Sequence, residues 1–143
     1  MLRRATTDDG AAVSRVFVAV RDEMTYLPRI PDEHRPLLGG WFIERDEVWV
    51  SEEDDRIDGF FALKNQELSH INVSPDAQNR GLGTEMLAEA KRLRPDGLEL
   101  WVFQKNEGAR RFYERHGFEL VKLTDGAENM EREPDALYAW RGA

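Results

Sequence analysis

The sequence contains no cysteine, and this absence removes several kinds of chemistry at once. Without a thiol the chain forms no disulfide, offers no thiolate ligand to a metal and carries no covalent acyl group on sulfur. The three histidines, His34, His70 and His116, do not have the spacing of a metal site. We therefore expect no metal, and we expect any group transfer to proceed without a cysteine nucleophile.

Long apolar runs and a surplus of basic residues are also lacking. Met1 to Ala5 lead directly into a turn signal, so we expect neither a signal peptide nor a membrane span, and a cytoplasmic location. The net charge of -8 argues against nucleic acid as a partner, because binding to phosphate backbones needs basic surfaces. The charge suits a cationic substrate such as an amine, although solubility alone also explains an acidic surface.

The length of 143 residues fits one domain, residues 1–143. Hydrophobic periodicity and turn residues predict a strand–helix–strand unit in the middle of the chain, which makes two strands parallel, and antiparallel pairing elsewhere. The predicted fold class is α/β (α+β), with a mixed, mostly antiparallel central sheet flanked by helices. The predicted order is strand 2–6, helix 8–24, short helix 32–38 ended by Gly39-Gly40, strands 47–52, 57–63 and 67–73, helix 81–93, strand 98–103, helix 106–116, strand 118–123, a loop or flap over 124–135 and strand 137–141.

The most informative stretch, Ser69 to Leu87, combines a strand, a Gly-x-Gly turn and the start of a helix. The first N–H groups of a helix have no partner within the helix, so such a turn favours an anion, most often a phosphate. A Walker pattern is absent, and Met86 stands where a dinucleotide-binding fingerprint needs its third glycine. The pattern that remains is Gln78-x-x-Gly81-x-Gly83.

Two motifs together resemble the GNAT superfamily of acetyl-CoA-dependent N-acetyltransferases. The first is Gln78-x-x-Gly81-x-Gly83 after Val73-x-Pro75, and the second is the segment from Asn106 to Phe118, which contains Phe112-Tyr113 and Gly117-Phe118. The resemblance is strong from Glu67 to Phe118, and the order of elements matches outside that range. It implies the acyl-CoA N-acyltransferase fold, with acetyl-CoA as cosubstrate.

The resemblance also implies roles for individual residues. The backbone of Ile71 and Val73 would pair with the pantetheine arm, and the side-chain amide of Asn106, which can equally cap a helix, would bond it. Tyr113 would lie near the thioester sulfur. The side chain of Arg80 either reaches a phosphate or stays in solvent. The backbone amides expected to hold the pyrophosphate belong to Gln78, Asn79, Arg80, Gly81, Leu82, Gly83 and Thr84.

Acetyl transfer to an alkylammonium, whose pKa is about 10.4, needs a base. Glu67 is the first candidate, because regular alternation puts it on the side of Ile71 and Val73, where many members of the superfamily carry a carboxylate. His70 has the more suitable intrinsic pKa but lies on the opposite side in a regular strand, and a bulge would change that count. Glu99 on the following strand is a third candidate, and Tyr113 could protonate the departing thiolate.

The predicted function is therefore transfer of an acetyl group from acetyl-CoA directly to a primary amine of a small molecule or peptide. The alternative is a non-catalytic CoA or acyl-CoA sensor of the same fold. The resemblance implies an acceptor site built from residues 24–42 and 124–135, which contain no motif that identifies the amine. The acidic run from Glu128 to Asp135 either attracts a cation or is a solvated loop. The last strands offer free edges, so both a monomer and a homodimer remain open.

Overall fold

A computed structural model describes residues 1–143. The chain forms two compact units, Met1–Ala90 (the first unit) and Lys91–Ala143 (the second unit). The predicted fold class, a mixed and mostly antiparallel sheet flanked by helices, is confirmed. The expectation of one domain stays a prediction. The strands are β1 (Leu2–Arg4), β2 (Glu47–Glu53), β3 (Arg56–Lys64), β4 (Glu67–Val73), β5 (Leu98–Phe103), β6 (Glu119–Leu123) and β7 (Asp135–Trp140), and the helices are α1 (Gly10–Asp22), α2 (Leu38–Arg45), α3 (Leu82–Leu93) and α4 (Glu107–Arg115).

The sheet of the first unit runs in the order β1-β2-β3-β4, and each neighbouring pair is antiparallel. The three-residue strand β1 pairs with the middle of β2, with Leu2 opposite Ser51 and Arg4 opposite Trp49. The ladder is interrupted twice. Asp58 has no partner in β2, because Ser51 faces Gly59 and Glu52 faces Ile57. Ser69 has no partner in β3, because His70 faces Ala62 and Leu68 faces Leu63.

The hydrophobic core of the first unit lies between the sheet and the helices α1 and α2. Its helical members include Val13, Val16 and Phe42, which are at most 8% exposed. Burial of each such side chain contributes about 1.5–3 kcal/mol, which accounts for the packing of α1 and α2 on this face. The strand residues of the same cluster are Val48, Val50, Ile57, Phe60 and Ala62.

The prediction for the second helix was wrong. A short helix ended by Gly39-Gly40 was expected, whereas α2 begins at Leu38 and contains both glycines. The reason is a close approach of two helices, since a Cβ on Gly39 would lie 2.0 Å from the carbonyl oxygen of Gly10 and 2.7 Å from the backbone nitrogen of Ser14. The Ser14 hydroxyl accepts a hydrogen bond from the Gly39 N–H at 2.7 Å and donates one to the Pro36 carbonyl at 3.1 Å.

In the second unit the central strand β7 pairs antiparallel with β5 on one side and with β6 on the other. Positions 98, 100 and 102 of β5 are buried, while Glu99 and Trp101 are exposed, so β5 has one buried and one open face. The buried Tyr138 hydroxyl accepts a hydrogen bond from Arg110 Nε at 3.1 Å and donates one to Glu114 Oε2 at 2.7 Å. These two bonds tie α4 to β7.

Candidate functional site

Strand β4 directs the N–H groups of alternate residues away from β3. Ser74 donates its N–H to the Asp58 carbonyl at 2.7 Å, so the N–H of Ser74 points towards β3. Because N–H directions alternate along a strand, the N–H groups of Val73 and Ile71 point the opposite way. The two residues that the sequence nominated for pantetheine binding therefore direct their donors to one side of β4.

The interruption at Ser69 changes which side chains share a face of β4. Glu67 faces Lys64 and His70 faces Ala62, and positions 62 and 64 of β3 lie on one side. Glu67 and His70 therefore lie on the same face, and the regular alternation that grouped Glu67 with Ile71 and Val73 was wrong. The Ser69 hydroxyl stabilises the extra residue, because it lies 2.8 Å from Asp46 Oδ2 and 3.2 Å from the Ala62 carbonyl.

The imidazole of His70 lies among three phenylalanine rings. The distances between ring centres are 4.2 Å to Phe42, 5.5 Å to Phe17 and 6.2 Å to Phe60. Burial among these rings lowers the pKa of His70 to about 4, so the side chain is neutral at physiological pH. The intrinsic pKa that favoured His70 as a base is therefore lost. Glu67, in contrast, is exposed at the start of β4, and Glu99 is exposed on β5.

The segment between β4 and α3 is held by several side chains. Gln78 Nε2 donates to the Val73 carbonyl at 3.0 Å, and Ser74 Oγ donates to Asp76 Oδ1 at 2.7 Å. Arg56 bridges Asp58 and Asp76 at 2.6 and 2.7 Å. These contacts fix the conformation of the loop that joins β4 to α3.

The backbone then makes a turn of unusual conformation in front of α3. Asn79 has φ +65° and Gly81 has φ +84°, both in the left-handed region. A left-handed residue next to a right-handed one directs successive N–H groups into a concavity that binds anions. Arg80 lies between them with an exposed side chain, and α3 begins immediately afterwards at Leu82. A glycine at 81 relieves the cost of this conformation.

In the second unit, Asn106 and Tyr113 occupy the two ends of α4. Asn106 is the N-cap residue, whose Oδ1 accepts a hydrogen bond from the Ala109 N–H at 3.2 Å. The amide nitrogen Nδ2 is a separate donor, so the capping role leaves that group for a ligand. Gly117, with φ +89°, ends the helix as the sequence indicated.

Tyr113 is 8% exposed, and its ring contacts those of Phe112 and Phe118, with centres 5.5 and 5.8 Å apart. Burial raises the pKa of the Tyr113 phenol well above its ordinary value, so the hydroxyl stays protonated across the physiological range. The side chain is therefore a permanent hydrogen-bond donor near neutral pH.

The second unit also contains a cleft of about 820 Å³ that the sequence did not reveal, which we call the acidic cleft. Its floor comes from β5, where Trp101 is 44% exposed, and its wall comes from β6 and the loop after it. The residues that matter for its chemistry are Trp101, Phe103, Lys122, Asp125, Glu128 and Glu131. The only signals in the sequence were the acidic run and the large apolar residues of β5.

The loop or flap predicted over residues 124–135 ends at position 134, because β7 begins at Asp135, and it is anchored by buried polar groups. Asp135, 8% exposed, accepts hydrogen bonds from the Thr124 hydroxyl and from Asn129 Nδ2. Gln104 Nε2 donates to the carbonyls of Thr124 and Asp135 at 2.9 and 3.0 Å. A Cβ on Gly126 would lie 2.4 Å from the backbone of Glu133, so the turn admits only glycine. The loop is consequently a fixed wall of the acidic cleft.

Residues 44–120 match the family described as acetyltransferase (GNAT) domain. This match covers more than half of the chain. It includes both motifs on which the resemblance rested, the turn around Gly81 and the segment from Asn106 to Phe118. The chain therefore belongs to the GNAT acetyltransferase family, and the resemblance found in the sequence is confirmed.

Two relatives share about a third of the aligned residues. The peptidyl-lysine N-acetyltransferase YiaC of Escherichia coli (strain K12) is 33% identical over 87 residues, which are 60% of this chain and 59% of YiaC. The uncharacterized N-acetyltransferase MJ1207 of Methanocaldococcus jannaschii is 33% identical over an alignment of 103 residues, and the match covers 60% of this chain and 46% of that protein. The chain thus spans only about half the length of these relatives.

Solved structures show the same fold at lower sequence identity. Apo YjaB from Escherichia coli superposes with a TM-score of 0.79 at 24% identity, covering 100% of this chain and 98% of that one. YncA from Salmonella typhimurium, solved with its cofactor acetyl-CoA, gives a TM-score of 0.73 at 17% identity, with coverage of 99% and 92%. An N-acetyltransferase from Staphylococcus aureus Mu50 gives 0.73 at 18% identity, with coverage of 99% and 97%. None of the helices is long and apolar enough to cross a membrane.

Proposed function

We propose that the chain is an N-acetyltransferase that moves an acetyl group from acetyl-CoA directly to a primary amine of a small molecule or peptide. The observation that carries the proposal is the end of β4, where outward N–H groups of Ile71 and Val73 lead into the left-handed turn before α3. The family membership of residues 44–120 supports the same assignment. The name of the relative YiaC makes peptidyl-lysine the first acceptor to test.

Acetyl-CoA would be held mainly through backbone groups. The backbone of Ile71 and Val73 would pair with the pantetheine arm in the manner of an added strand. The turn of residues 78–84 would receive the pyrophosphate on its N–H groups, at the positive end of the α3 dipole. Asn106 would donate from Nδ2 to the pantetheine while its Oδ1 caps α4. The exposed Arg80 would neutralise part of the phosphate charge.

The reaction combines one acyl transfer with two proton transfers, one from the acceptor amine and one to the thiolate of CoA. A base removes a proton from the acceptor ammonium, and the nitrogen attacks the thioester carbonyl carbon, with the Val73 N–H polarising the carbonyl. The new C–N bond forms, the C–S bond breaks, and CoA departs as a thiolate that takes up a proton. Since the chain has no cysteine, the acetyl group passes to the amine without a thioester on the protein.

Tyr113 would serve the departing sulfur as a hydrogen-bond donor. A thiol has a pKa of about 8.5, below that of a buried phenol, so full proton transfer from Tyr113 to the thiolate is uphill. A hydrogen bond from the protonated phenol still stabilises the charge that develops on sulfur. The raised pKa of Tyr113 therefore supports a donor that is present at every working pH.

Glu67 is the better candidate for the base. Its carboxylate is exposed, whereas His70 is enclosed by three rings and has a pKa of about 4. A carboxylate is no stronger a base than such an imidazole, so access to the acceptor amine decides between the two side chains. We assign His70 to the packing of α1 and α2 on the sheet and the proton to Glu67, either directly or through water.

Binding and turnover separate the enzyme from the alternative sensor. Acetyl-CoA should raise the melting temperature of the purified chain, because a ligand that binds the folded state stabilises it, while NAD and ATP should not. Free CoA, detected with a thiol reagent, should then appear when lysine peptides and simple amines are added. No thermal shift with acetyl-CoA would refute the proposal. Tight binding with no CoA release across a broad amine panel would favour the sensor.

Three single variants test the residue roles. Tyr113→Phe should lower kcat about 10- to 100-fold and leave the Kd of acetyl-CoA within about twofold, because it removes one donor to the transition state. Glu67→Gln should lower kcat about 100-fold by removing the base. Glu119→Gln is the matched control, since Glu119 is also an exposed glutamate at the start of a strand. If Glu67→Gln behaves like Glu119→Gln, Glu67 is not the base.

A further inference from the structure

Gly59 of β3 lies where two other elements of the first unit, β4 and α3, come close to the same point. A Cβ at position 59 would lie 3.1 Å from the carbonyl oxygen of Asn72 in β4. It would also lie 3.1 Å from two side-chain atoms of α3, Leu82 Cδ2 and Met86 Cε. Contacts this short are rare for a real Cβ. The missing side chain therefore allows the start of α3 to pack directly against β3.

Gly59 and Ile57 lie on opposite faces of β3, although they are two positions apart. The unpaired Asp58 between them shifts the alternation of side chains by one residue. Ile57 belongs to the hydrophobic core beneath α1 and α2, whereas a side chain at position 59 would point towards α3. A substitution at position 59 therefore affects α3, and a substitution at position 57 affects only the core.

The turn of residues 78–84 lies between two attachments to β3. Before the turn, the Ser74 N–H donates a hydrogen bond to the Asp58 carbonyl at 2.7 Å. After the turn begins α3, whose first residue, Leu82, lies next to Gly59. The two left-handed residues of the turn are between these attachments. The distance between β3 and the start of α3 therefore determines the conformation of the turn.

A Cβ at position 59 has to displace α3, because its other neighbours are held in place. Strand β3 is an inner strand that pairs with β2 on one side and with β4 on the other, and Asn72 is part of the second ladder. Met86 is fully buried in a closely packed interior, so its methyl group cannot turn into solvent. The start of α3 should shift by a few tenths of an ångström.

We propose that Gly59 is a positioning residue that keeps the N–H groups of the turn of residues 78–84 in place for the pyrophosphate of acetyl-CoA. The proposal rests on the acetyltransferase function given above, and it gives a role in cofactor binding to a buried residue without a side chain. Hydrogen bonds weaken steeply with poor geometry, so a small shift of α3 weakens the contacts to the pyrophosphate. The pantetheine arm, which pairs with β4, would keep its partners.

Two acetyl donors provide the test: acetyl-CoA, and S-acetylpantetheine, which lacks the pyrophosphate and the nucleoside. Their dissociation constants for the full chain are measured by calorimetry, which needs no turnover, and thermal scans verify that each variant is folded. Gly59→Ala should bind acetyl-CoA about five- to tenfold more weakly than the wild type, because a shift of a fraction of an ångström already impairs such contacts. Its affinity for S-acetylpantetheine should stay within about twofold.

Two further variants separate positioning from a general loss of stability. Ile57→Val is the matched control, since it removes one methyl group from the opposite face of the same strand and should lower the melting temperature by about 2–5 °C. Both of its dissociation constants should stay within about twofold of the wild type. Gly59→Ala/Met86→Leu removes Met86 Cε, which makes room for the new Cβ, and should bind acetyl-CoA within about threefold of the wild type.

The outcomes distinguish this inference from the function on which it rests. Wild-type affinity for acetyl-CoA in Gly59→Ala would overturn the inference and leave the acetyltransferase function standing. An equal loss for both donors would also overturn it, because β4 rather than α3 would then have moved, and so would a comparable loss in Ile57→Val. The expected difference between the donors, without CoA release from any amine, would support the role of Gly59 and remove the acetyltransferase function. A wild-type chain that binds neither donor would remove both.

Discussion

Two adjacent glycines of α2 are expected to respond in opposite directions to the same substitution. A Cβ on Gly39 would lie 2.0 Å from the Gly10 carbonyl oxygen, whereas a Cβ on Gly40 would have no atom within 4 Å. Both residues are in the same turn of helix, so replacement by alanine brings each about 1 kcal/mol of helix propensity. Gly40→Ala is therefore a matched control for the steric effect of Gly39→Ala.

The magnitude for Gly39→Ala follows from the contacts that must open. Real Cβ contacts stay above 3.0 Å, so α2 would have to move away from α1 by about 1 Å. The hydrogen bond from the Gly39 N–H to Ser14 Oγ would be lost, and Phe42 would loosen in the core. Overpacking costs about 1–3 kcal/mol and the lost hydrogen bond about 1 kcal/mol. After subtraction of the propensity gain, Gly39→Ala should destabilise by about 1–3 kcal/mol.

Urea unfolding followed by far-ultraviolet circular dichroism measures both variants at 25 °C, and thermal scans give the melting temperatures. For a chain of this size 1 kcal/mol corresponds to about 3 °C, so Gly39→Ala should melt about 3–10 °C below the wild type. Gly40→Ala should melt at or up to about 3 °C above it. If the two variants have the same stability, α1 and α2 do not touch through the Gly39 backbone and the reasoning is refuted.

Three further predictions concern single side chains. The free energy of unfolding should fall by up to about 3 kcal/mol as the pH drops from about 6.5 to about 4, because the folded pKa of His70 is about 4 and the unfolded chain takes up the proton first. That part of the pH dependence should be absent in His70→Phe, and an identical slope in the variant would contradict it. Asn106→Ala should lower the free energy of unfolding by about 1 kcal/mol, because the helix cap is lost, and should bind acetyl-CoA more weakly. Asn106→Asp should keep the cap and lose only the Nδ2 donor. If calorimetry gives Asn106→Asp the acetyl-CoA affinity of the wild type, the donor is not used. Gly81→Ala should lower the unfolding free energy by about 1 kcal/mol, because φ is +84° but no atom lies within 4 Å of the new Cβ, and a stability equal to the wild type would exclude the left-handed backbone.

The parts of the fold that sequence reasoning predicted well are those set by neighbours along the chain. Helix α4 runs from Glu107 to Arg115 between the cap Asn106 and the left-handed Gly117, as the motif indicated. The turn before α3 likewise follows from Gly81 and its neighbours, because the conformation of glycine is a local property. The first helix was predicted two residues too long at each end, since Thr7–Asp9 form a short 3-10 turn before α1.

The parts that could not be predicted depend on residues far apart in the sequence. Whether a glycine pair ends a helix or lets two helices touch depends on the partner helix, here Gly10 against Gly39. The extra residue Ser69 in β4 is stabilised by Asp46, which is 23 positions away. Since one extra residue reverses the alternation of side chains, the grouping of Glu67 with Ile71 and Val73 failed although each strand was recognised.

The acidic cleft was missed for a related reason. A run of acidic residues between two strands is usually a solvated loop, and nothing in the composition shows that Asp135 and Gln104 bind the two ends of the loop. Likewise, an apolar strand such as β5 does not show by its residue types alone that one of its faces stays open around Trp101. Both features require the pairing of β5, β6 and β7.

The placement of β1 has a consequence for the order of folding. The hairpins of β2, β3 and β4 join neighbouring segments, whereas β1 pairs across a long stretch of chain, and its Arg3 binds Glu52 at a separation of 49 positions. Closing a long loop costs chain entropy before any contact compensates it, so the three-strand meander should form first and β1 should dock last. Local opening should follow the reverse order. The amide of Ala5, which donates to the Val48 carbonyl, should therefore exchange its hydrogen with solvent faster than the amides in the middle of β3.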